Sequence, residues 1–151
     1  MSRNIKEVFM SDSNCIFCKL ASGEYPSSTI YEDDLFRVIL DISPAAKGHA
    51  LLIPKRHIEN IFELDGEESE LALCVVREVA SAIKKTLNCD GINVLQNNGS
   101  AAGQSVFHLH FHIIPRYEND HVQVPWNAIS YDEGEADQLA DKIKTILPDY
   151  L

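Results

Sequence analysis

Along the 151 residues the spacing of apolar positions changes several times, and each change marks an element. In "STIYEDDLFRVILD" aromatic and β-branched residues flank a polar cluster at Glu32, Asp33 and Asp34, which predicts two short strands around an acidic turn. "KGHALLIP" predicts a third strand ending at Pro54. Over residues 67–87, Ala72, Val76, Val79, Ala80, Ile83 and Leu87 recur at helical spacing and predict the longest helix. "GINVLQN" predicts a fourth strand, "NGSAAGQ" a glycine-bearing loop, and "SVFHLHFHIIP" a fifth strand that stops at Pro115. Residues 134–147 place Ala136, Leu139, Ala140, Ile143 and Leu147 on one face, predicting an amphipathic helix closed by Pro148. Strand groups on either side of one long helix predict an α+β domain with a mainly antiparallel sheet. With no internal repeat and no linker-like stretch, residues 1–151 read as a single domain whose first dozen residues fray.

Composition agrees with that picture and narrows the partners. A chain that is 45% hydrophobic and 24% charged can bury one core. Its 13 Lys and Arg stand against 23 Asp and Glu, a net charge of −10 that repels nucleic acid and anionic membrane. A small phosphorylated ligand is still compatible, because backbone N–H dipoles act locally. The N-terminal stretch lacks the apolar core of a secretion signal, and the longest apolar run, residues 71–76, is far too short to span a bilayer, so a cytoplasmic protein is expected. In a reducing compartment Cys15, Cys18, Cys74 and Cys89 read as thiols or metal ligands rather than disulfides. Cys74, inside the apolar helical stretch, reads as a small core residue.

The fifth strand carries the chemistry. On a strand His108, His110 and His112 share one face, while Phe107, Leu109, Phe111 and Ile113 share the other, which packs. With six histidines in the chain, random placement would give this His-x-His-x-His pattern roughly 0.01 times. Two readings follow: a metal cluster, or a nucleophilic imidazole supported by its neighbours. Three same-face residues on a straight strand span about 13 Å, so convergence on one ion needs a sharp bend. The preceding "NNGSAAGQS" offers Gly99 and Gly103 for close backbone approach, with Gln104 and Ser105 as side-chain donors for phosphate oxygens. It lacks the Gly-Lys-Ser/Thr ending of a P-loop. Cys15 and Cys18 form a C-x-x-C pair that suits a redox pair, a metal knuckle or coincidence.

The segment "AGQSVFHLHFHIIPR" resembles the signature of the histidine triad family, in which three histidines alternate with apolar residues. The flanking "CIFCKLASGEYPS", "LDISPAAKGHALLIPKRH" and "GINVLQNNG" resemble the family in the same order, and the likeness fades beyond Arg116, leaving residues 117–151 divergent. The match is nearest to the Hint branch of nucleotide-binding proteins, and within it to bacterial members.

The resemblance implies a five-stranded, mainly antiparallel sheet, a homodimer, and a purine nucleotide as small-molecule substrate. It implies hydrolysis of an α-phosphate linkage through a nucleotidyl-histidine on His110, with His112 and Ser105 beside the phosphate and His49 supporting the row. By the same resemblance Asp41 would hold the ribose and Ile16, Phe17, Leu20 and Ile42 would sandwich the base. Asn97, Gly103, Gln104, Ser105 and Val106 would lie near the phosphates. Bacterial relatives with the cysteine pair imply a structural zinc ion on Cys15, Cys18, His57 and His108. Other readings are a nucleotide-binding regulatory protein with incidental turnover, a dinucleoside polyphosphate hydrolase, and a zinc hydrolase using all three triad histidines.

Overall fold

The computed structural model describes residues 12–124 and 126–150. The segment expected to fray, apart from Asp12, lies outside the described residues. Five strands form one antiparallel sheet: β1 (Thr29–Glu32), β2 (Phe36–Leu40), β3 (Ala50–Pro54), β4 (Gly91–Leu95) and β5 (Phe111–Arg116). Their order across the sheet is β1-β2-β3-β5-β4. β5 therefore sits between β3 and β4, with His112 opposite Leu51 on one side and Leu95 on the other. Both expected N-terminal strands and the acidic turn between them are present. Asp33 Oδ1 accepts the backbone N–H of Leu35 and Phe36 there, at 2.8 and 2.6 Å.

Helix α2 (Gly66–Leu87) covers one face of the sheet. Its first turn carries Glu67 and Glu68 and its last turn Lys84 and Lys85, the charge order that complements the helix dipole. Ala72, Val76, Val79 and Ile83 are its buried stripe and pack with Phe36, Val38, Leu52, Leu109, Phe111 and Ile113. Cys74 is exposed, contrary to the expectation of a core position. It lies two residues from Ala72, about 200° around the helix and so on the opposite side from the stripe.

The other face is covered by α1 (Ile16–Ser22), an element that periodicity did not reveal. Seven residues are too few to show a period, and the helix is defined by its ends instead. Cys15 is the N-cap, its Sγ accepting the Cys18 N–H at 3.4 Å, and Gly23 closes the helix at φ 82°. Phe17 and Ala21 then pack on Ile39, Leu51 and Ile53.

The expected fifth strand begins later than predicted. Ladder pairing with β3 starts at Phe111, opposite Leu52, and residues 106–108 bend. Before the ladder, Leu109 donates its N–H to the Ile58 carbonyl at 2.6 Å instead. The bend breaks the alternation at one point: Phe107, expected on the packing face, is 46% exposed. Leu109, Phe111 and Ile113 are buried as expected.

At its far end β5 is tied down by Arg116, which donates to both carboxylate oxygens of Asp120, to Asn93 and to the Val122 carbonyl. Helix α3 (Glu135–Lys144) forms where an amphipathic helix was predicted. Among the described residues its apolar face is uncovered, Leu139 and Ile143 being 43% and 53% exposed. No helix of the described residues is long and apolar enough to cross a membrane.

Candidate active site

The face of β5 opposite α2 carries His112, and His110 precedes it on the same side. Each imidazole of this region is held by a partner that fixes its tautomer. The His108 carbonyl, an acceptor only, lies 2.7 Å from His110 Nδ1, so Nδ1 carries the proton and Nε2 keeps the lone pair. Ala45 N–H, a donor only, lies 3.1 Å from His49 Nδ1, so the His49 proton sits on Nε2. His49 Nε2–H then donates to His112 Nδ1 at 2.9 Å, which leaves the His112 proton on Nε2. A backbone amide thus sets the tautomer of a side chain two hydrogen bonds away.

Burial keeps these rings neutral. Desolvation pushes His112 down to about 4, helped by His110 and His49, and lowers His110 and His49 from their ordinary value of 6.5. The Asp41 carboxylate opposes the shift in each case, and its Oδ2 stands 3.7 Å from His49 Nε2. Its Oδ1 is taken by the Ser43 N–H at 2.8 Å. Oδ2 is the oxygen left for a ligand.

His110, His112 and Asp41 line a cavity of about 980 Å³, at the upper end of the range for small-molecule sites. Ile16, Phe17, Leu20, Ile42, Ser105 and Val106 line the same cavity, so these sequence-predicted residues come together. Ile42, 98% exposed, stands at its open rim. His49 is buried behind His112.

Asn97, Gly103 and Gln104 are outside the cavity lining. Gln104 is buried with its amide fully used: Oε1 accepts the Gly99 N–H at 2.7 Å, and Nε2 donates to the carbonyls of Glu59 and Val106. It holds the loop shape rather than offering a free donor. The loop glycines answer to backbone conformation, with φ of 85° at Gly99 and 84° at Gly103. A methyl group at Gly99 would meet no protein atom within 4 Å, and one at Gly103 only Asn97 Nδ2 at 3.8 Å. Sequence reasoning missed Tyr25, Pro26, Ser27 and Ser28, which form the far wall just after α1. The turn signal of Gly23 and Pro26 was the cue, since it folds this segment back beside its own helix.

His108 departs from the other two histidines. Its Nε2–H donates to the Pro54 carbonyl at 2.9 Å, which frees Nδ1. That Nδ1 lies 3.5 Å from both Cys15 Sγ and Cys18 Sγ, and His57 Nδ1 lies 3.3 Å from Cys18 Sγ. The ligand atoms of all four residues fall within 4.8 Å of one another. A tetrahedral zinc with ordinary Zn–S and Zn–N bonds would set its S···N edges at about 3.5 Å, so spacing and donor chemistry both fit. Without a metal, burial and the neighbouring Cys15 push the Cys18 thiol up to about 11. The three triad histidines do not converge on one centre, which removes the geometric basis for a metal held by all three.

Tautomer-fixed imidazoles, a carboxylate and an apolar slot thus share one cavity. Comparison with known proteins carries this to a family. The HIT domain model matches residues 22–119, and the chain belongs to that family. The structure is similar to that of a HIT family member from Bacillus subtilis, with TM-score 0.85, 41% identity, and coverage of 90% of this chain and 99% of that one. It is also similar to a zinc-bound histidine triad family protein from Mycobacterium smegmatis, with TM-score 0.69, 34% identity, and coverage of 87% and 97%. In sequence it is 39% identical over 133 residues to the adenosine 5'-monophosphoramidase hnt1 of Schizosaccharomyces pombe, covering 87% of this chain and 97% of that protein.

Proposed function

We propose that this chain hydrolyses the α-phosphate linkage of nucleoside monophosphate derivatives, phosphoramidates foremost, through a nucleotidyl group on His110. The observation that carries the reading is the 2.7 Å bond from His110 Nδ1 to the His108 carbonyl, which leaves Nε2 as a lone-pair nucleophile lining the cavity. The name of the yeast relative supports the substrate class.

His110 Nε2 attacks the α-phosphorus; a P–N bond to the ring forms as the bond to the leaving amine breaks. The amine departs with a solvent proton at the open mouth beside Ser105, an exposed residue. The ring, now cationic, keeps its Nδ1–H on the His108 carbonyl, an acceptor that favours the charge. His112 Nε2–H, held in that tautomer by His49, donates to the phosphoryl oxygens. Water then attacks phosphorus: a P–O bond forms as the P–N bond to the ring breaks, the water's proton passes to solvent, and His110 returns to the neutral ring as the monophosphate leaves. Asp41 Oδ2 accepts from the ribose hydroxyls, and Ile16, Phe17, Leu20 and Ile42 enclose a purine by its faces. Gln104 acts on the phosphates indirectly, through the loop residues 99–106. Asn97 and Gly103 contribute loop shape in the same way.

Cys15, Cys18, His57 and His108 would hold a structural zinc ion, which cross-links the N-terminal helix to the sheet and takes no part in the reaction. A homodimer is proposed as well. Among the described residues the outer edge of β4 is unpaired, and the apolar face of α3 is uncovered within the chain.

The test is His110→Asn with adenosine 5'-phosphoramidate as substrate. Hydrolysis should fall by roughly 10⁴-fold or more, as for other nucleophile deletions. Rapid quench of the wild type without acid should trap a nucleotidyl group on His110. Ordinary turnover by the variant would remove the nucleophile assignment.

A further inference from the structure

The cysteine–histidine cluster and the nucleotide cavity share walls. Cys15 caps α1, and the helix it starts brings Phe17 onto the nucleophile: the Phe17 ring meets His110 edge-on at 4.8 Å and 81°, and His108 at 6.1 Å. Phe17 also lines the cavity, together with Ile16 and Leu20 of the same helix. From the other side, His57 leads into residues that hold the triad segment and the loop. The Ile58 carbonyl accepts the Leu109 N–H, and the Glu59 carbonyl accepts from Gln104. His108 itself supplies the carbonyl that orients His110. The four would-be ligands thus reach the cavity through three separate pieces of chain: α1, residues 57–59, and the start of the histidine row.

A helix of seven residues has little stability of its own and takes its position from what fixes it. Beside the packing of Phe17 and Ala21 on Ile39, Leu51 and Ile53, Cys15 and Cys18 tie its start to His57 and His108. A metal ion drawing those four together orders the same wall that a nucleotide must order. Two ligands that order one element each reduce the other's entropic cost, and thermodynamics requires the effect to be reciprocal.

We propose that metal and nucleotide bind this chain with positive linkage, and that Phe17 is the positioning residue that carries it from the cysteine–histidine cluster to His110. The proposal rests on the nucleotide reading above and adds to it that the metal tunes affinity.

The experiment uses the zinc-loaded protein and adenosine 5'-monophosphate as probe. Zinc affinity is measured by equilibrium competition with a chromogenic chelator, with and without saturating nucleotide, and nucleotide binding is measured separately by calorimetry. Zinc affinity should rise about 10-fold when the nucleotide is bound, within the usual range of coupling. In Phe17→Leu, which keeps an apolar side chain but loses the aromatic edge, zinc content should be retained and the gain should shrink to less than 3-fold. Restoring a ring in Phe17→Tyr should bring most of it back. Nucleotide binding with no change in zinc affinity overturns the linkage alone. A full gain in Phe17→Leu removes Phe17 as the link. No calorimetric binding at millimolar nucleotide would sink both this inference and the nucleotide reading.

Discussion

Two clusters in this protein look alike as inventories and differ as chemistry. Cys15, Cys18, His57 and His108 bring their ligand atoms within 4.8 Å, and so do Asp41, His49 and His112. In the first, the Pro54 carbonyl, outside the cluster, takes the far N–H of His108 and leaves Nδ1 facing two sulfurs. In the second, Ala45 N–H occupies His49 Nδ1 and forces a proton onto Nε2, the atom nearest His112 and Asp41. A protonated imidazole nitrogen is a donor and cannot ligate. The difference teaches that backbone groups outside a cluster decide whether its lone pairs point inward, and so whether it holds a cation or relays a hydrogen bond.

The sharpest way to break this comparison is to count metal. Cys18→Ser should lower bound zinc from one ion per chain to none, while His49→Ala and Asp41→Asn should leave it at one. Structural zinc sites of this type contribute about 10–16 kcal/mol of apparent binding free energy. Elemental analysis after exhaustive dialysis decides the point, and zinc lost from His49→Ala would invert the two assignments.

The relay is tested next. His49→Ala removes the donor that fixes His112, so the His112 proton is free to move to Nδ1 and the phosphate oxygens lose a donor. A fall of about 10²-fold in kcat is expected, at the low end for a group acting on proton placement. Single-turnover kinetics with the phosphoramidate should show it in the chemical step, with KM changed much less. An unchanged chemical step would mean that the tautomer of His112 does not matter.

A smaller effect is expected from pH. His108 and His112 are pushed by burial to about 4, and His110 and His49 are lowered from 6.5. Below about pH 6.5 the unfolded chain binds protons that the folded chain refuses, so the histidines' contribution to stability is lost progressively as pH falls toward 4, where the depressed carboxylates of Glu32, Asp33 and Asp120 carry the decline further. Urea midpoints measured at steps from pH 7.5 to 4 should follow that course. Because His110 attacks as the neutral ring, the acid limb of kcat/KM should lie below pH 6.5. A limb centred above 6.5 would contradict a desolvated nucleophile.

The sequence was most legible where a pattern repeats over many residues or where chance is a poor explanation. The α2 stripe from Ala72 to Ile83 and the alternation through Leu109, Phe111 and Ile113 both predicted buried positions correctly. It was least legible where the answer depends on what lies across space. Cys74 sits in an apolar stretch yet faces out, because its helical phase is opposite the stripe. Phe107 obeys the alternation on paper but lies at a bend. Gln104, placed by resemblance near the phosphates, spends its amide on the nearby backbone of Gly99 and Val106 and on Glu59, 45 residues away. Helix α1 carries no periodic signal at all, since capping rather than a buried stripe defines it.

By itself the sequence determined the two longer helices, four of the strands, the acidic composition and the row of alternating imidazoles, because side-chain period and composition are local properties of the chain. It determined the residue types of both clusters. Only the tertiary structure decided which hydrogen-bond partner each histidine has. Pro54 lies 54 residues from His108, and the Ala45 and His49 pair lies more than 60 residues from His112. The tautomers of His108 and His112 are set by those long-range partners, whereas His110 takes its tautomer from the His108 carbonyl two residues away and His49 from Ala45 four residues away.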